Sequence, residues 1–148
     1  MIDIEQVDHI GIRVKDLDRA LDFYKIFGFE ETARAGNDPV VVIKNAQQVE
    51  LNLIYNSTTE NDGDNILMDV AEKYSGFTHV ALTISSVLDT LKGLEENNIR
   101  ITQGPVSIGR DGHVSIFVRD PDRNVLELRG RAENYDEIPG LTIYENEN

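Results

Sequence analysis

The chain has 148 residues with 27 acidic and 14 basic side chains, a formal net charge of −13, and no cysteine. This length and a hydrophobic content of 40% predict one globular domain with a buried core. The negative charge argues against a nucleic-acid partner, because phosphate contacts need clustered basic residues. The absence of cysteine excludes disulfides and metal–thiolate sites. The longest apolar run is Val40–Ile43 and no signal-peptide pattern opens the sequence, so we expect a cytoplasmic protein without a membrane partner.

One sequence pattern occurs twice, first near residue 8 and again near residue 78. Alternating apolar residues after His9 and after His79 predict a strand in each copy. Apolar residues at helical spacing follow, with Asp16 and Ser86 as predicted N-caps and Gly28 as the stop of the first helix. Three strand patterns then follow in each copy, at residues 29–34, 40–44 and 49–54, and at 99–108, 114–119 and 125–129.

This repeat predicts an α+β fold of two βαβββ modules, whose curved mixed sheets form a cup. A single module would leave one sheet face bare, so the modules pair within one chain or across a dimer, and we expect a homodimer. The predicted domain covers residues 1–148, with a module at 6–54, a linker at 55–75, a module at 76–130 and an acidic tail at 131–148. Residues 66–74 suggest a short helix, and the tail has enough apolar residues to dock as an arm.

Two histidines and two glutamates stand at matching places in the two copies. His9 and His79 open the first strands, and Glu50 and Glu127 lie in the last strands. Strand alternation places all four on the sheet face opposite the helix. Each residue alone could simply be exposed or hydrogen-bonded in a strand. The paired pattern instead favours a site for a divalent metal, and its imidazole and carboxylate ligands suit Zn, Ni, Co, Mn or Fe(II) alike.

Such a site predicts an enzyme that acts on a small carbonyl compound. A divalent metal polarises a carbonyl group, and Glu127 or Glu50 could then move a proton between adjacent carbons. Ser115 and Arg129 could face the same site and contact the substrate, and Asn52 shares the face of Glu50.

Four longer motifs carry a resemblance to a known family. They are His9–Asp16, Ala20–Tyr24 with the following Phe27–Phe29, His79–Leu82, and Phe117–Leu128. Together these motifs resemble the glyoxalase/bleomycin-resistance/extradiol-dioxygenase group, also called the vicinal oxygen chelate superfamily, over about residues 6–130. The resemblance implies the paired-module fold. It leaves the reaction open, since this scaffold carries isomerases, epimerases, dioxygenases, thiol transferases and drug-binding proteins.

Within that group, a His/Glu/His/Glu set is most similar to bacterial glyoxalase I, a lactoylglutathione lyase. The resemblance implies metal ligation by the four residues and places Arg13 where glyoxalases hold the glutathione carboxylate. Ile54, four residues after Glu50, stands where those enzymes carry an asparagine that helps to hold glutathione. The resemblance therefore supports metal-assisted proton transfer more strongly than it supports glutathione as the substrate.

Two other functions fit the same residues. An Fe(II) extradiol-type dioxygenase would use His9, His79 and Glu127 alone, without a ligand from the last strand of the first module. A metal-free protein of the same fold would bind a small molecule, such as a drug, on the same polar faces.

Overall fold

The computed structural model describes residues 1–58, 63–132 and 134–145. These residues form two compact units, one within Met1–Asp64 and one within Asn65–Asn148. Among the described residues, no helix is both long enough and apolar enough to cross a membrane.

The first unit is a four-stranded mixed sheet with one helix. Its elements are β1 (Ile10–Arg13), α1 (Leu17–Ile26), β2 (Glu30–Arg34), β3 (Val40–Lys44) and β4 (Glu50–Ile54). The strand order is β1-β4-β3-β2, with β1 parallel to β4 and the other pairs antiparallel. The parallel β1–β4 pair is possible because α1, β2 and β3 lie between these strands in sequence.

Local sequence explains the bounds of α1. The Asp16 side chain accepts a hydrogen bond of 2.9 Å from the backbone N–H of Arg19, which satisfies a free donor of the first turn. Gly28, just after the helix, adopts a φ of +82°, a conformation that a residue with a Cβ atom rarely takes. Alternate strand residues such as Leu51 and Leu53 are fully buried, so one face of this sheet belongs to the core.

The second unit repeats this arrangement and extends it. Its elements are β5 (His79–Thr83), α2 (Val87–Glu96), β6 (Ile101–Ile108), β7 (His113–Arg119), β8 (Val125–Arg131), a 3₁₀ turn (Tyr135–Glu137) and β9 (Thr142–Tyr144). The strand order is β5-β8-β7-β6-β9, with β5 parallel to β8 and β9 parallel to β6. The prediction of an α+β fold with two βαβββ modules and mixed sheets is confirmed.

The acidic tail docks on the second unit. Strand β9 pairs with β6, and Ile138 is buried. The Tyr135 hydroxyl forms hydrogen bonds of 2.8 Å with Oγ of Ser107 and with the backbone N–H of Gly112. The tail is therefore an arm that adds a strand to the sheet.

The predicted helix at residues 66–74 is wrong, because this segment forms turns. The Asn65 side chain accepts hydrogen bonds from the backbone N–H groups of Leu67 and Met68. Asp69 in turn accepts from the backbone N–H of Asn65 at 2.7 Å. The Asn65 side chain thus caps a single turn, which is closed by a hydrogen bond of 2.7 Å from the backbone N–H of Asp69 to the Asn65 carbonyl, and the segment continues in turns and bends rather than as a helix.

Asp69 also attaches these turns to the sheet of the second unit. Its carboxylate lies 3.0 Å from Nη2 of Arg119 and 2.8 Å from Nε of Arg123. The hydrogen bond from Arg123, together with the Asn65 N–H and the charge of Arg119, holds the pKa of Asp69 far below its usual range despite burial. The turn segment is thus fixed by a charge network.

Candidate metal centre

Glu127 occupies a central position in the sheet of the second unit. It pairs with Ala81 of β5 on one side and with Phe117 of β7 on the other. Its neighbours Leu126 and Leu128 are almost fully buried in the core, so strand alternation turns Glu127 to the opposite face. This is the face that the sequence predicts for the candidate ligands.

The His79 imidazole lies beside this carboxylate. Its Nε2 is 3.1 Å from Oε2 of Glu127, and the Glu127 side chain is only 12% exposed. When two ligand atoms each lie about 2.1 Å from a metal ion and make a right angle at that ion, they are about 3.0 Å apart. Without an ion, the same separation allows a hydrogen bond. The pair therefore fits neighbouring ligands of one divalent metal.

The residue before each histidine binds the Nδ1 atom of the ring. Oγ1 of Thr78 lies 2.9 Å from Nδ1 of His79, and Oδ2 of Asp8 lies 2.6 Å from Nδ1 of His9. A carboxylate accepts hydrogen bonds, so Nδ1 of His9 is the donor of this bond and Nε2 is the ring nitrogen left for a metal. Metal-binding histidines commonly use this arrangement, in which the second ring nitrogen is fixed by a neighbouring acceptor.

The first unit gathers its own group of possible ligands. One donor atom each from Asp8, His9 and Glu50 lies within 4.8 Å of the others. Nζ of Lys44 lies 3.0 Å from Oε2 of the half-buried Glu50. This donor set fits a divalent cation, and a bound ion would share Glu50 with the Lys44 ammonium group or displace it.

Strand register changes which residue matches Glu127. In the second unit Glu127 lies opposite Ala81, whereas in the first unit Asn52 lies opposite Gly11, the residue two after His9. By register, the counterpart of Glu127 is therefore Asn52. Oδ1 of Asn52 is buried and has no hydrogen-bond partner among the residues that the structure describes. The first unit thus offers two candidates on one strand face, Glu50 and Asn52.

Arg13 has a partner that the sequence motifs did not indicate. Its Nε donates a hydrogen bond of 3.0 Å to Oδ1 of Asn56, just after β4. Counted from Asn52 rather than from Glu50, Asn56 is the residue four positions further along the chain. The register thus places Asn56, rather than Ile54, four positions after the counterpart of Glu127.

Ser115 and Arg129, both predicted to contact substrate, lie in a hydrogen-bond chain that leads to Glu127. Oγ of Ser115 donates to Oε1 of Glu127 at 2.6 Å, and Nη1 of Arg129 donates to Oγ of Ser115 at 3.1 Å. Asp111, which no sequence motif singled out, accepts from Nη2 of Arg129 at 3.0 Å. The hydrogen bond from the backbone N–H of His113 lowers the pKa of Asp111, and the charge of Arg129 lowers this pKa further.

Comparison with known proteins identifies the family. A sequence profile of the Glyoxalase/Bleomycin resistance protein/Dioxygenase superfamily matches residues 6–128. The chain belongs to this superfamily. The resemblance expected from the sequence motifs is confirmed.

Curated relatives in the superfamily are distant. A glyoxalase domain-containing protein of Mycosarcoma maydis is 28% identical over 86% of this chain and 69% of its own length. The lactoylglutathione lyase of Escherichia coli O157:H7 is 29% identical over 81% of this chain and 88% of its own. For the Schizosaccharomyces pombe lactoylglutathione lyase, at 29% identity, the match spans 86% of this chain but only 48% of the enzyme.

Solved structures share the superfamily fold. A glyoxalase/dioxygenase from Nostoc punctiforme has a TM-score of 0.67 at 22% identity, covering 86% of this chain and 92% of its own. The fosfomycin resistance protein FosX of Listeria monocytogenes, complexed with Mn(II) and sulfate, has a TM-score of 0.61 at 18% identity, covering 88% and 95%. Mn(II) is therefore present in one solved protein of this fold.

Proposed function

We propose that this protein is a metal-dependent lyase or isomerase of the glyoxalase type, which moves a proton on a small carbonyl compound. The contact between Nε2 of His79 and Oε2 of Glu127 at 3.1 Å carries this proposal. Relatives named lactoylglutathione lyase at 29% identity support the reaction class. A cytoplasmic location and a homodimer stay predictions, and light scattering on the purified protein tests the latter.

The proposed metal ligands are His79 and Glu127 in the second unit and His9 and Glu50 in the first. Zn, Ni, Co, Mn and Fe all suit imidazole and carboxylate ligands. When bound, such an ion would polarise the substrate carbonyl and so acidify the adjacent C–H group. Metal analysis of the purified protein measures the number of ions per chain.

The protein's own carboxylates would move the proton. A base must lie within hydrogen-bond reach of the proton that it takes, and Glu127 and Glu50 both lie beside a candidate metal ligand. In the first unit, Nζ of Lys44 lies 3.0 Å from Oε2 of Glu50 and orients this carboxylate.

Arg13 and Asn56 support a substrate that carries a carboxylate. The hydrogen bond between them orients the guanidinium group, whose fork geometry suits carboxylate binding. The hemithioacetal of methylglyoxal and glutathione has such a carboxylate, and it is the first substrate to test. The Asn52 amide, on the same face of the first unit as Glu50, is a further proposed substrate contact.

The test combines metal analysis with an assay of methylglyoxal–thiol hemithioacetals. Purified protein should contain divalent metal, lose activity with a chelator and regain it with added metal. Glu127→Gln should lower kcat about 10²- to 10⁴-fold, while Glu96→Gln, at an exposed carboxylate on α2, should retain wild-type turnover. Protein that takes up no divalent metal stoichiometrically would contradict the proposal.

Asn52 lies opposite Gly11, at the position that matches Glu127 in the second unit. This favours a second candidate function, an Fe(II) extradiol-type dioxygenase. Two histidines and one glutamate, His9, His79 and Glu127, would then be the ligands, with a neutral amide in place of a second carboxylate. Oxygen consumption with catechols, lost in His79→Ala, would support this function. Equal activity without oxygen would exclude it.

A further inference from the structure

The carboxylate of Glu127 is held at both of its oxygens. Oε2 faces Nε2 of His79, and Oε1 accepts a hydrogen bond of 2.6 Å from Oγ of Ser115. A hydroxyl–carboxylate distance of about 2.5–2.7 Å is typical of strong, charge-assisted hydrogen bonds. Ser115 is only 5% exposed, so water competes little for this bond.

The direction of the hydrogen bonds at Ser115 follows from Arg129. A guanidinium group has donors and no acceptor, so Oγ of Ser115 must accept from Nη1 of Arg129. The Ser115 proton is then directed to Glu127. Asp111 binds the other terminal nitrogen of Arg129 at 3.0 Å and orients the guanidinium group.

We propose that Ser115 is a positioning residue, which holds Glu127 through Oε1 and leaves Oε2 as the oxygen for the two proposed roles of Glu127, divalent-metal binding and proton transfer. This inference rests on the proposed function, in which Glu127 is a metal ligand. It gives Ser115 and Arg129 a role in supporting Glu127 rather than in contacting substrate. Loss of such support typically lowers metal affinity about 10- to 100-fold.

The metal test compares Ser115→Ala with Ser107→Ala. Ser107 is also buried in the same sheet, and its Oγ binds the Tyr135 hydroxyl rather than a candidate ligand. In calorimetric titrations with Zn²⁺ and Mn²⁺ alone, we expect Ser115→Ala to bind about 10- to 100-fold more weakly than wild type. Ser107→Ala should keep the wild-type affinity, and Ser115→Thr, which retains a hydroxyl, should restore most of it.

A double-mutant cycle in metal-free protein tests the contact itself. The loss of Tm in Ser115→Ala/Glu127→Gln should differ from the sum of the single losses, since the two side chains interact directly. Additive losses of Tm, or wild-type metal affinity in Ser115→Ala, would overturn the inference. Wild-type protein that binds no metal would instead contradict the proposed function, and the cycle would still decide whether Ser115 holds Glu127.

Discussion

Oε2 of Glu127 lies 3.1 Å from Nε2 of His79, although the two residues are not direct partners in the parallel β5–β8 pair. His79 lies opposite Val125, so the contact runs diagonally across the two strands. Diagonal neighbours on one sheet face are within reach of long side chains. The backbone register thus brings an imidazole and a carboxylate together without a loop.

Removing the charge of Glu127 should remove both metal binding and turnover. In Glu127→Gln we expect kcat to fall about 10²- to 10⁴-fold, the usual contribution of a general acid or base. Steady-state kinetics and metal titration measure the two effects. Glu96→Gln is the matched control, and wild-type kinetics in Glu127→Gln would contradict the assigned role.

Glu50→Gln and Asn52→Ala distinguish the two candidates on β4. If Glu50 is a ligand, Glu50→Gln should weaken metal binding by more than the about 10- to 100-fold that is typical of losing a residue that only supports a ligand, and Asn52→Ala should have little effect. If the centre instead has only the three ligands His9, His79 and Glu127, Glu50→Gln should bind metal with wild-type affinity. Metal titration of both variants decides between these ligand sets.

The charge network of Asp69 predicts acid sensitivity. Its pKa in the folded protein lies below the ordinary value of 3.8, so its stabilisation is complete above about pH 4 and is lost as the pH falls further. Asp69→Asn should lower the free energy of unfolding at pH 7 by about 2 kcal/mol, since hydrogen bonds to charged groups are lost.

Thermal unfolding from pH 7 to pH 2 measures this effect. The difference in stability between wild type and Asp69→Asn should shrink below about pH 4, because the unfolded wild type then takes up a proton at Asp69 that the folded protein binds only at a much lower pH. Asp22→Asn, an exposed acid on α1, is the control. A difference that stays constant over the whole acid range would contradict the network.

Tyr135 should stabilise the docked tail. Tyr135→Phe removes the hydrogen bonds to Ser107 and Gly112 and leaves the buried Ser107 hydroxyl without this partner. We expect a loss of about 1–3 kcal/mol in the free energy of unfolding. Chemical denaturation measures it, with Tyr144→Phe, at an exposed tyrosine, as control. If Tyr135→Phe and Tyr144→Phe lose the same free energy of unfolding, the hydrogen bonds of Tyr135 do not stabilise the docked tail.

Much of the fold was predictable because local signals agreed with it. Asp16 and Ser86 cap their helices as predicted, and the alternation around Leu51 and Leu126 correctly separates the core face from the polar face. The helix predicted at 66–74 does not form because Asp69 is bound to Arg119 and Arg123, and such tertiary contacts override the local helical spacing.

The candidate site was less predictable because strand alternation has a period of two residues. Glu50 and Asn52 share a face, so alternation cannot show which of them matches Glu127. Only the pairing of Gly11 with Asn52 does so. The contact between Ser115 and Glu127 likewise depends on the β7–β8 register, which no local pattern specifies.

The decisive measurement is the divalent metal content of wild type and Glu127→Gln, determined side by side by mass spectrometry after dialysis. If Glu127 is a ligand of a bound metal, wild type should hold about one ion or more per chain, and Glu127→Gln should lose most of it. A metal-free wild-type protein after exposure to divalent ions, or full retention of metal in Glu127→Gln, would contradict a metal centre built on Glu127.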